Sequence, residues 1–111
     1  MKKRLISLVF IALSINPSWA LTVRGAVSCG NWVKSSSTEG WDRLVNQSRL
    51  VAYLSGLAVA TKQDILEGSS NESLFLWVDN YCKKYPLDNI YDAGDLLFVE
   101  LSMRAAYSSS N

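Results

Sequence analysis

The residues of this 111-residue chain whose type and spacing could do chemistry are two cysteines, Cys29 and Cys82, and three aspartates, Asp88, Asp92 and Asp95. A cysteine can serve as a nucleophile, a metal ligand or half of a disulfide. The first role needs a nearby base or a C-x-x-C partner to lower the thiol pKa, and the chain has neither a histidine nor a closely spaced cysteine pair. Lys83 and Lys84 follow Cys82, but lysines in that position commonly cover a solvated helix face. A zinc site needs about four ligands, which two distant cysteines and no histidine do not supply. An even cysteine count in an exported chain argues instead for a Cys29–Cys82 disulfide, and the chain-entropy account gives about 4 kcal/mol for closing so long a loop.

The aspartates gather around one expected helix start. A carboxylate cluster can bind calcium or act as acid and base, but this spacing lacks the alternating loop of an EF-hand. Carboxylates there also complement the helix dipole, which is the simpler account. The chain contains no G-x-S-x-G elbow, no S-x-x-K pair and no glycine-rich phosphate loop. The expectation is a non-enzymatic protein with no catalytic residues, no metal and no cofactor.

The first twenty residues set the expected compartment. Lys2, Lys3 and Arg4 precede an apolar run from Leu5 to Ile15, and Ser18 and Ala20 place small residues at a signal-peptidase site. This order predicts a signal peptide over 1–20, cleaved between Ala20 and Leu21, and a mature chain in the periplasm. With the three leading basic residues gone, the net charge falls from +1 to −2. A slightly acidic chain lacks the electrostatic footprint for nucleic acid. The apolar run Leu50 to Ala60 is too short to span a bilayer, so no stable membrane insertion of the mature chain is expected.

The elements that must position these residues are helical, so the predicted fold class is all-α. It is a small bundle of three to four helices with one long-range disulfide, forming a single domain over 21–111. An N-terminal segment and loop over 21–40 is expected to precede helices over 41–66, 70–85 and 89–106. In the first helix Asp42, Asn46, Arg49 and Tyr53 recur at helical spacing as a polar stripe. Ser48, Ala52, Gly56 and Ala60 form a row of small residues that would let another helix approach. Ser69 and Glu72 have capping-box spacing before the second helix. There Leu74, Trp77, Val78, Tyr81, Cys82 and Tyr85 share a broad face, which points Cys82 inward, and Pro86 stops the helix. Asp88 is the expected N-cap of the third helix, with Ile90, Ala93, Gly94, Leu97 and Leu101 on its apolar face and Glu100–Arg104 as an i, i+4 pair.

Cys29 with Trp32, then "YLSG" at Tyr53 to Gly56, then "WVDNYCKKYPLD" and "DAGDLLFVEL" resemble the small exported helical proteins of Gram-negative bacteria grouped with the Rap/Tai-type immunity proteins. That resemblance implies protection against peptidoglycan amidase effectors of type VI secretion. In size and topology the chain is also similar to the HdeA-type periplasmic acid chaperones. The expected partner is accordingly a periplasmic or effector protein, with a homodimer as an open alternative. Arg49 and Tyr53 are the candidate partner-binding anchors, because both types are over-represented among binding hot spots. The same two residues could equally just solvate the helix. The alternative function is an exported accessory protein of unknown activity or an acid-activated chaperone, whose trigger would lie near pH 4 or lower, because carboxylates and not histidines would titrate.

Overall fold

The structure is a computed structural model and describes residues 24–110. The expected signal peptide over 1–20 and its expected cleavage between Ala20 and Leu21 lie outside the described residues. Four helices follow one another: α1 (Cys29–Ser36), α2 (Trp41–Thr61), α3 (Asn71–Lys84) and α4 (Ile90–Ser110). Among the described residues there is no β-strand, and no helix is long and apolar enough to cross a membrane.

The N-terminal segment and loop over 21–40 contains α1, the fourth helix of the expected three to four. Ser28 makes it possible: in an extended conformation, its Oγ accepts the Asn31 N–H at 3.1 Å and caps the helix. The helix ends where Ser35, Ser36 and Ser37 each donate a hydroxyl to the carbonyl three residues back. Such local bonds compete with helix propagation. In those eight residues α1 buries Cys29, Trp32 and Ser35.

Helix α2 stops at Thr61, five residues before the expected end. Lys62 adopts the left-handed conformation, and its N–H reaches the Ala58 and Val59 carbonyls. Burial explains the early stop. A continuing helix would carry Ile65 about 16 Å beyond Leu54 along the axis, past the core. The turn folds Ile65 back until only 3% of it is exposed. Gly68, with φ 79°, makes a second turn before α3.

Helix α3 starts one residue later than the expected capping box. Ser70 is the N-cap, accepting the Ser73 N–H at 3.1 Å, while the Ser73 hydroxyl donates to the Ser70 carbonyl. A similar correction applies to α4. Asn89, not Asp88, caps it: Asn89 Oδ1 accepts the N–H groups of Tyr91 and Asp92 at 2.8 and 3.1 Å, and Asp92 Oδ2 accepts the Asn89 N–H at 3.1 Å. This reciprocal pattern satisfies donors that would otherwise be orphaned. Asp88 is thereby released for another task.

Cys29 and Cys82 are bonded, with Cα atoms 4.8 Å apart and no exposure of either residue. Beside them the chain makes an isolated antiparallel bridge between Ser28 and Asn89. Its bonds run from Cys29 N–H to the Asp88 carbonyl at 2.8 Å and from Ile90 N–H to the Val27 carbonyl at 2.9 Å. One short stretch is thus tied covalently to the end of α3 and by backbone to the start of α4. The Trp32 indole, 1% exposed, adds a third tie by donating to Asp79 Oδ1 at 2.6 Å. Around these ties Leu50, Leu54, Val78, Ile90 and Leu97 complete the core.

The close helix approach occurs at Gly94 rather than along the small-residue row of α2. A Cβ on Gly94 would lie 2.8 and 3.0 Å from the Tyr53 ring carbons Cδ1 and Cε1, whereas one on Gly56 would meet nothing within 4 Å. Opposite outcomes are therefore expected from two alanine substitutions, read by denaturant unfolding. Gly94→Ala should destabilise by about 1–3 kcal/mol through overpacking. Gly56→Ala should stabilise by about 0.5–1 kcal/mol through helix propensity. Under the same oxidising conditions Cys82→Ser should cost about 2–5 kcal/mol, and the double Cys29→Ser, Cys82→Ser variant should cost little more. Additive losses from the two cysteines would show that their contribution is not the bond.

Candidate partner-binding surfaces

The polar stripe of α2 is only partly solvent-facing: Asp42 and Arg49 are exposed, Tyr53 is half-buried and Asn46 is buried. Asn46 is buried and donates from Nδ2 to Ser35 Oγ at 2.9 Å, joining α2 to α1. Arg49 is exposed, but its Nη1 donates to the Gly25 carbonyl at 3.2 Å and so holds the segment before α1. Tyr53 is half-buried. Its hydroxyl donates to Asp95 Oδ1, and its ring lies 4.4 Å from that of Tyr91 and against Gly94. Arg49 therefore offers a charge at the rim, while the Tyr53 hydroxyl is already engaged within the chain.

Each aspartate of the cluster also has a structural partner. Asp88 accepts the Tyr81 hydroxyl at 2.5 Å, Asp92 closes the α4 cap and Asp95 accepts Tyr53. These contacts hold the phenols in the protonated state. The Tyr81 pKa is pushed up to about 12, first by its hydrogen bond to Asp88 and then by burial. That of Tyr53 is raised as well, by burial first and then by the bond to Asp95.

With the inner faces committed, the outer faces carry the surfaces a partner could reach. On α2 the row Ser48, Ala52, Gly56 and Ala60 is exposed, which overturns its expected role in packing within the chain. Trp41 and Val59, 75% and 79% exposed, stand near its two ends. Small side chains make this face low, and Leu44, Val51 and Phe75 border it. The result is a shallow groove of about 410 Å³ between α2 and α3. A second cleft of about 500 Å³, between α1 and α2, is polar and carries Lys34, Asp42, Asn46 and Arg49.

A third surface was not anticipated from the apolar face assigned to α4. Leu96, Val99, Met103 and Tyr107 form a second apolar stripe, each side chain at least half exposed. The signal was present in the sequence as the i, i+3, i+7, i+11 spacing. It was hidden because Leu97 and Leu101 fit one face so well.

The raised phenol pKa values fix the sign of an alkaline effect. Both phenols are protonated below about pH 10 in folded and unfolded chains, so their contribution to stability is complete there. As pH rises from about 10 through about 12, the unfolded chain ionises first and that stability is lost. Tyr81→Phe should remove a step near pH 12 from the phenolate absorbance titration, and Tyr53→Phe should remove a later one. Tyr53→Phe should also cost roughly 1 kcal/mol at neutral pH, because exposed Asp95 can replace the lost donor with water. No protein-family model matches the chain, and no match was found among curated proteins or among solved structures.

Proposed function

We propose that the protein is an exported, non-enzymatic partner-binding protein of the periplasm, acting as an immunity protein that neutralises a secreted effector. The observation that carries this reading is the outer face of α2, a low row of small residues bordered by exposed Trp41, Leu44 and Val59 on a covalently tied scaffold. A preformed apolar trough of this kind accepts a helix or an apolar anchor with little ordering cost. Arg49 lies at the rim of the adjoining polar cleft, where a charge steers approach more than it adds affinity. The residue types resembling the Rap/Tai-type proteins supply the effector class, a peptidoglycan amidase.

The test is protection. Cells expressing the full chain should survive a periplasm-directed amidase effector from a neighbouring gene, and the purified chain should inhibit that amidase. Leu44→Asp and Ala52→Trp should each weaken inhibition at least tenfold while leaving the helical spectrum intact. Arg49→Ala should mainly slow association. Wild-type chain that neither protects nor inhibits would overturn the reading.

A second reading, the acid-activated chaperone, is favoured by one specific feature. Three hydrogen bonds between elements end on carboxylates: Trp32–Asp79, Tyr53–Asp95 and Tyr81–Asp88. Each of these bonds gains strength from the negative charge of its acceptor, so a structure held in this way depends on that charge. On this reading a hydrophobic dye should bind the oxidised protein as pH falls toward about 2.5, and a client protein should stop aggregating. A dye-silent protein that leaves aggregation unchanged would eliminate it.

A further inference from the structure

We infer that the free face of α4 is a self-complementary interface on which a second copy of this chain docks antiparallel, with the two-fold axis beside Val99. The inference does not rest on the proposed effector binding, which uses the outer face of α2.

The stripe has the spacing of a coiled-coil seam. Leu96, Val99 and Met103 occupy successive a and d positions of a heptad, Ala106 takes the next, and Tyr107 lies beside it. Neither neighbouring helix covers these residues. Helix α2 meets α4 through Tyr53 at Tyr91, Gly94 and Asp95, while the side toward α3 carries Leu97, Leu101 and Arg104. Met103 and Tyr107 remain 62% and 72% exposed.

What selects a second copy is the order of residue types along the stripe. An antiparallel pair whose axis passes between positions 99 and 100 sets Leu96 against Met103 of the second copy, and Met103 against its Leu96. The two Val99 side chains then meet at the axis. The same register sets Asp92 against Tyr107 of the other copy. Asp92 uses Oδ2 to cap α4, which leaves Oδ1 to accept a tyrosine hydroxyl. Apolar residues thus meet apolar ones, and an acceptor meets a donor, twice each by symmetry. A parallel pairing would instead set the Asp92 carboxylates side by side. Antiparallel helices also place the negative end of each dipole beside the positive end of the other.

The area is sufficient for a dimer of limited affinity. Four side chains of this size, half to three-quarters free, carry on the order of 300 Å² of apolar surface per chain. With the flanks of two helices paired over roughly 24 Å, the contact reaches on the order of 1,000 Å² in total, the lower end for a specific interface. Dissociation on dilution is therefore expected.

Sedimentation equilibrium of the oxidised mature protein tests the inference. At about 100 µM, above the dissociation constant of a micromolar contact, the mass should be that of two chains. Val99→Asp should weaken association by roughly 100-fold, because it faces two carboxylates across the axis in a desolvated site. Its helical spectrum should be unchanged, since Val99 is half exposed. Met103→Glu provides an independent disruption should Val99→Asp fail to fold. A wild-type chain that stays monomeric overturns the inference, as does a dimer that survives both substitutions. Cysteine pairing checks the register: Val99→Cys should cross-link to itself, and Leu96→Cys should cross-link to Met103→Cys but not to itself. Efficient Leu96→Cys self-linking would show a parallel pair and overturn the antiparallel docking.

Discussion

The fold depends on the fastening of one short stretch, Val27 to Cys29, to two other elements. Cys29 is bonded to Cys82 near the end of α3, and the backbone bridge pairs Ser28 with Asn89 at the start of α4. The α3–α4 connection is therefore pinned at its base, which restricts the angle between the two helices. Trp32, one helical turn after Cys29, then fills the space beside α3 and satisfies its indole N–H on Asp79. A domain of this size buries a limited core. Constraining the unfolded chain by a long-range bond is a physically efficient supplement to it.

Helix α2 is held differently. It has no covalent tie, and its N-cap position, Gly40, makes no side-chain cap. Its inner face instead combines Leu50 and Leu54 with polar contacts at Asn46, Arg49 and Tyr53. The absence of a side chain on Gly94 lets the Tyr53 ring sit against α4, which brings its hydroxyl to Asp95. Apolar contacts alone would leave the rotation of α2 loosely specified, whereas directional bonds to three separate segments fix it. Because the inner face is fixed in this way, the row of small residues is left pointing outward.

The sequence carried the elements whose partners are local or whose chemistry admits few options. Two cysteines allow one intramolecular pairing, Pro86 cannot continue a helix, and Leu74, Val78 and Cys82 repeat at i, i+4. Polarity misleads about exposure at buried Asn46 and half-buried Tyr53, while Arg49 is exposed as expected. Asn46, Arg49 and Tyr53 are polar, but their partners Ser35, Gly25 and Asp95 lie 11, 24 and 42 residues away. Periodicity within one helix cannot show such pairings. The caps moved by one residue for a related reason: adjacent Ser69 and Ser70, and Asp88 and Asn89, are both competent caps. Tertiary demands chose between them, since Asp88 is required by Tyr81 and Cys29.

The distribution of titratable ties has a mechanical consequence. A carboxylate acceptor makes a stronger bond than a neutral one, but only while it is ionised. The contacts made through Asp79, Asp88 and Asp95 therefore depend on a charged acceptor, whereas the disulfide and the Ser28–Asn89 bridge do not. The clamp of α1 on α3 and α4 keeps its insensitive ties at any pH. Helix α2 has no covalent tie, and its side-chain bond to α4, Tyr53–Asp95, depends on a charged acceptor, so the α2–α4 seam is the less firmly held one. Opening there would expose Leu50 and Leu54, the apolar inner face of the same helix whose outer face is open at neutral pH. A binder at neutral pH and an acid-responsive chaperone would thus use opposite faces of one helix.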